Sequence, residues 1–237
     1  MNVSTHALRR VRAALTAGLA VCSALSVTAC GSEGTKVSAG AANPKVSPTS
    51  TGNATGSPSP TGTERALTDD QAERRALVPA AKVTWDKAAG TATGEVAGSR
   101  LLEIDLTRYE GGGASPAPSP GTPEWATEVA TDDGTVHRVR VDAVTGKVLR
   151  SRQESRQDAD DKQEVAERLR NAKVTPQRAV ATATGKKQGT VTDVHLDGDD
   201  GALIWSVDIV DQEDWSRTTV DVDAATGEFR REEVDRD

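Results

Sequence analysis

Few side chains in this chain could do chemistry. The 237-residue sequence carries two cysteines, Cys22 and Cys30, three histidines, and one tight acidic run, Asp197-Gly198-Asp199-Asp200-Gly201. Closely spaced carboxylates suit a hard cation. This run, however, lacks the further ligand positions and the bidentate Glu of an EF-hand loop, so it reads as a solvated hairpin tip. His137 and His195 lie in alternating stretches with no second His or Cys at ligand spacing, and no metal is expected. No serine occupies a Gly-x-Ser-x-Gly elbow, and no glycine-rich phosphate loop is present. Asp142 and Asp223 could serve as ligands or bases. Each instead opens a turn that closes on a glycine, Gly146 or Gly227, and an Asp so placed normally binds its own backbone amides while the glycine takes positive φ. The expectation is a protein that is not an enzyme, with no cofactor and no catalytic residue.

The remaining reactive group is a thiol. Arg9, Arg10 and Arg12 precede an uncharged Ala/Leu/Val run over residues 13–29. That run is shorter than the roughly 20 residues a bilayer-spanning helix needs, so residues 1–29 read as a secretory signal peptide. Arg9-Arg10 lacks the preceding Ser or Thr and the following Phe of a twin-arginine leader. Val27-Thr28-Ala29-Cys30-Gly31-Ser32 resembles the lipobox of bacterial lipoproteins, with Val27 where Leu is usual. The resemblance implies that Cys30 becomes the lipidated N-terminus. Cysteine arithmetic agrees, because Cys22 leaves with the leader and Cys30 would otherwise be an odd thiol in an oxidising compartment.

Composition then says how the mature chain is spent. Leu, Ile, Val and Phe make up 42 residues, which puts the whole sequence near the disorder boundary, so part of it must be tether. Residues 31–63 supply that part: 26 of 33 are Gly, Ser, Thr, Pro or Ala. Residues 30–64 are thus read as the lipidated cysteine and a disordered linker, with an average reach on the order of 30 Å. Loss of the leader with its three arginines takes the net charge from −7 to −10, so lipid rather than attraction to anionic headgroups should hold the protein at the membrane. Aromatic residues at 3% and an excess of acids exclude a nucleic-acid platform.

The rest of the chain is duplicated. Ala81-Lys82-Val83-Thr84 and Thr91-Ala92-Thr93-Gly94 recur as Ala172-Lys173-Val174-Thr175 and Thr182-Ala183-Thr184-Gly185; Val141-Asp142-Ala143-Val144-Thr145-Gly146 recurs as Val222-Asp223-Ala224-Ala225-Thr226-Gly227. The offsets differ by ten residues, and the Gly/Pro run over 111–120 holds the surplus as a loop. Each copy should begin with one or two helices. Thr68-Asp69-Asp70-Gln71 fits a capping box, Asp160-Asp161 opens a comparable acidic helix, Thr84 and Thr175 are N-caps, Pro176 suits a first helical position, and Gly94 and Gly185 are placed as left-handed C-caps. Glu164 and Arg168 form a solvated pair on that acidic helix. Alternation follows, with Leu102, Ile104 and Leu106 matching Thr192, Val194 and Leu196, and Trp125 matching Trp205. Period two with one apolar face marks half-buried antiparallel strands. Turns are expected at Asp132-Asp133-Gly134 and from Gly198 to Gly201, and short edges at Val148-Leu149 and Glu228-Phe229. The tryptophans should be the largest core side chains of their copies.

Helix, hairpin strands and Val-Asp-Ala-x-Thr-Gly in two copies resemble the PepSY domain of secreted metalloprotease propeptides and bacterial envelope proteins. The resemblance implies an α+β fold of two tandem PepSY-like modules, over 65–152 and 155–235. Each would pack one or two helices on a three- to four-stranded antiparallel sheet, after the disordered N-terminal tether. It also implies a non-catalytic protein on the extracytoplasmic face of the cell membrane that binds or restrains a partner such as a secreted peptidase. The alternative is a structural or sensory envelope element that responds to a ligand or to envelope conditions.

Overall fold

The computed structural model describes residues 66–112, 115–199 and 201–236. The expected leader, the lipidated Cys30 and the linker up to residue 64 lie outside the described residues. Helix α1 (Asp69–Leu77) starts at the predicted capping box: Thr68 Oγ1 accepts from the Gln71 amide at 3.2 Å, and Gln71 Oε1 accepts from the Thr68 amide at 3.0 Å. After a 3-10 turn at Val78–Ala80 comes α2 (Trp85–Glu95), with Thr84 at its N-cap. The second copy repeats the pair as α3 (Ala159–Asn171) and α4 (Pro176–Thr184). Pro176 occupies the first turn of α4, and the Thr175 hydroxyl accepts from the Arg178 amide.

The alternating stretches become four strands per copy. Copy one has β1 (Ser99–Arg108), β2 (Pro123–Thr131), β3 (Val136–Asp142) and β4 (Val148–Gln153); copy two has β5 (Thr190–Asp199), β6 (Ala202–Val210), β7 (Arg217–Asp223) and β8 (Phe229–Asp235). They form one eight-stranded sheet in the order β4-β3-β2-β1-β5-β6-β7-β8, every pair antiparallel. The two modules therefore share a single sheet. At the β1–β5 seam Ile104 pairs with Val194, Glu103 with His195 and Asp105 with Asp193. Ile104 and Val194 are equivalent residues of the repeat, so the seam carries a local twofold axis.

One face of the sheet meets the helices. Ile104, Trp125, Val139, Val194, Trp205 and Val220 cluster there with Ala88 and Ala92 of α2 and Ala179 and Ala183 of α4. Trp125 and Trp205 are the largest fully buried side chains, each 2% exposed. Leu77 of α1 and Leu169 of α3 join the same cluster. Hydrogen bonds show that the first helices are exchanged between copies. Arg74 of α1 donates from Nε to the Trp215 carbonyl of copy two at 2.7 Å, and Arg100 of β1 donates to the Leu169 carbonyl of α3 at 2.7 Å. The opposite face of the sheet carries the polar residues of each alternation.

Several local expectations shift. Gly94 lies inside α2, which runs to Glu95, and the left-handed turn follows at Gly98 (φ 73°). Gly185 stays in right-handed helical geometry (φ −68°), with its amide bonded to the Ala181 carbonyl. The acidic helix opens with Asp160-Asp161 in its first turn as expected, but its N-cap is Asp158: the Asp158 carboxylate accepts from both of their amides, and the Asp161 carboxylate accepts from the Asp158 amide to close a capping box. Gly198 is part of β5 and pairs with Leu203, so β5 runs on to Asp199, opposite Ala202 at the start of β6. The edges β4 and β8 run longer than the two-residue pieces expected. The described residues of the 111–120 surplus lie between β1 and β2, outside any helix or strand.

Candidate functional site

The residues singled out by type converge on two equivalent clasps. Asp142 Oδ1 accepts from the amides of Val144 and Thr145 at 2.8 and 2.9 Å, and Asp223 Oδ1 accepts from those of Ala225 and Thr226, both at 2.9 Å. Gly146 and Gly227 close these turns at φ 75° and 81°. The carbonyls inside the turns then hold the helices. Ala143 O accepts from the amides of Lys82 and Val83, and Ala224 O from those of Lys173 and Val174. Each tryptophan completes its clasp: Trp125 Nε1 donates to Val83 O at 2.8 Å and Trp205 Nε1 to Val174 O at 2.9 Å. The repeated Lys-Val-Thr, Trp and Asp-Ala-x-Thr-Gly are thus one device for seating α2 and α4 on the sheet. One oxygen of each aspartate and the indole N–H of each tryptophan are taken up by these bonds. The amide of Thr226, first among the groups around it, holds the Asp223 carboxyl below the usual carboxylate range.

A groove of about 310 Å³ opens on the helix side, where the copies meet. Ala89, Gly90 and Thr93 of α2 line it together with Leu101 of β1, Val174 and Pro176. It draws on both copies, so neither module alone would form it. At the first position of α2, Trp85 packs against the core, whereas the equivalent position of α4 has the smaller Pro176, which lines the groove. Arg100, Lys173 and Asp86 add charge to an otherwise mainly apolar wall.

The sheet's other face holds a cluster that single-strand reading could not assemble. His195 Nδ1 lies 2.6 Å from Asp193 Oδ1, with Glu103 across the seam and Asp208 on β6. Burial opposes the charging of His195, but the hydrogen bond to Asp193 and the charges of Asp193, Glu103 and Asp208 outweigh it and push the imidazole up to about 9. Burial, with the Asp193 charge behind it, pushes Asp208 up as well. A folded value above the unfolded one means stability that is complete below pH ~6.5 and fades as pH rises toward 9. With the ring 29% exposed and therefore partly screened, a loss of about 2 kcal/mol is expected across that window. Urea unfolding of the wild type against His195→Gln checks it: the wild-type midpoint should fall from pH 6.5 to 9 while the variant's stays level. Parallel profiles would refute the assignment.

His137 sits apart, half-buried in β3 opposite Gln153. Asp197 lies at the β5–β6 hairpin, where its carboxylate accepts from the Gly198 amide. Among the described residues no group of three His, Cys, Asp or Glu is placed to hold a metal ion, and no helix is long and apolar enough to cross a membrane.

No curated protein sequence matches the chain. Two solved structures align along most of their own length. A candidate lipoprotein from Clostridium difficile 630 is 21% identical, covering 65% of this chain and 95% of that one at a TM-score of 0.40. The YpmB protein from Bacillus subtilis is 18% identical, covering 64% of this chain and 98% of that one at a TM-score of 0.25. The model of the family described as "Peptidase propeptide and YPEB domain" matches twice, over residues 66–152 and 173–233. Those two matches span the two strand-bearing copies and more than half of the sequence, and the chain belongs to the PepSY family.

Proposed function

We propose that the protein is an extracytoplasmic lipoprotein, anchored to the cell membrane through Cys30. Its paired PepSY modules bind or restrain a partner protein such as a secreted peptidase, and it performs no catalysis of its own. The family match over both copies carries this reading, because the family is described by its place in peptidase propeptides. The groove between α2 and α4 supports it with a concave, largely apolar surface. The bonding of Asp142 and Asp223 to backbone amides of their own turns supports a structural role for both carboxylates.

The test uses the mature chain with Cys30→Ala, which keeps it in solution. Incubated with a thermolysin-like secreted metalloprotease, it should slow peptide hydrolysis stoichiometrically and remain intact. Rapid digestion without inhibition would remove the peptidase reading.

A further inference from the structure

The two copies have diverged in charge at one place. On the face of the sheet away from the helices, β3 and β4 set Arg138 opposite Arg152 and Arg140 opposite Arg150, a two-by-two block of arginines. Like charges placed directly across strands repel. At the equivalent positions of copy two, β7 and β8 carry Thr219, Asp221, Arg231 and Glu233, and Arg231 Nε donates to Asp221 Oδ2 at 2.6 Å. One copy balances its outer strands and the other does not.

Acids inside the fold meet only half of the arginine block. Arg138 pairs with Glu128 and Glu154, and Arg140 pairs with the buried Glu124. Arg152 reaches Glu154 only through its charge, Glu154 being paired with Arg138, and the Arg150 side chain forms no ion pair or hydrogen bond among the described residues. Both Arg150 and Arg152 are exposed, and β4 contains no acid. Strand β4 also ends the sheet formed by the described residues, and none of their strands lies beside its outer row of amides and carbonyls. Edge charges commonly serve only to ward off strand addition. Here they stack across strands, where they cost stability, in a chain that is acidic as a whole.

We propose that β4 and its arginine block form a docking site for an extended acidic segment of a partner protein. The segment adds as a ninth strand, and its alternate carboxylates lie over Arg150, Arg152 and their neighbours on β3. Main-chain bonds supply register and the arginines select for acid. This surface is on the opposite face from the groove, so it stands or falls independently of the peptidase reading.

The probe is a fluorescent eight-residue peptide of alternating Val and Glu, titrated into the mature Cys30→Ala chain and followed by anisotropy. It should bind, while the Val/Lys counterpart should not. An N-methylated Val/Glu peptide, with charge kept and amides blocked, should also fail. Arg150→Glu with Arg152→Glu should weaken binding by roughly tenfold or more. The same pair of changes puts Glu opposite Arg140 and Arg138, so the melting temperature should hold or rise; arginines kept for structure would make it fall. Equal binding of the N-methylated peptide, or of phosphatidylglycerol vesicles in place of any peptide, would overturn strand addition.

Discussion

Replacing Trp205 with alanine should lower the stability of the folded unit by about 3–5 kcal/mol, and replacing it with phenylalanine by about 1–2 kcal/mol. The alanine variant loses the largest apolar contact of copy two and leaves a cavity among Val207, Val220 and the helix side chains. Phenylalanine restores most of the volume but removes the indole N–H, stranding the Val174 carbonyl at the start of α4. The difference between the two variants therefore separates packing from the clasp. For a unit of this size the alanine change corresponds to a fall of about 10 °C in melting temperature. Trp125→Ala should behave alike, with a smaller phenylalanine effect because its bond to Val83 O is partly exposed. Since β1 and β5 join the copies in one sheet, either change should move a single cooperative transition. Calorimetry checks this; two resolved transitions, or a phenylalanine variant as damaged as alanine, would contradict it.

What the sequence disclosed is what local chemistry decides. Thr68 and Gln71 are three residues apart and cap one another, so their role is readable without any neighbour. Asp142 and Asp223 satisfy amides two and three residues on, and Gly146 and Gly227 supply the conformation those turns require. Period two exposed the strands because one face of each must be apolar. The limits come from contacts that are distant in sequence. Nothing within β1 or β5 announces that Ile104 will pair with Val194, because the residues at a sheet edge are the same whether the edge is open or joined. Consequently neither the single sheet nor the groove was foreseeable, and His195 gave no hint of Glu103 across the seam. Gly94 and Gly185 mark the helix ends to within a residue or two, but neither takes the left-handed form expected: α2 runs through Gly94 to Glu95, and Gly185 caps α4 in right-handed geometry. The one signal that could have pointed to the arginine block was available, since aligning the copies sets Arg138, Arg140 and Arg152 against Thr219, Asp221 and Glu233.

The exchange of first helices between copies can be broken at one atom. Gly134 closes the β2–β3 turn at φ 83°, and a Cβ built on it would sit 1.8 Å from the carbonyl oxygen of Lys162 in α3. No side chain can yield there, because the obstacle is the backbone of a helix. Gln157 tightens the approach further: its side chain donates to Gly134 O at 3.0 Å and accepts from the Val136 amide at 2.7 Å. Copy two shows the contrast. The equivalent turn position is Trp215, at φ 61°, and its carbonyl receives the long side chain of Arg74 in place of a helix backbone, so a Cβ is tolerated. Gly134→Ala should therefore cost about 3–5 kcal/mol, through the left-handed backbone and the displacement of α3 together. Gly98→Ala is the matched control. It has φ 73° and nothing within 4 Å of its Cβ position, so it should cost only about 1–2 kcal/mol. Urea unfolding measures both, and hydrogen exchange should show α3 losing protection ahead of the sheet in the Gly134 variant alone. Equal costs for the two substitutions would mean that α3 does not lie against the hairpin of the first copy, and the exchanged arrangement would fail with it.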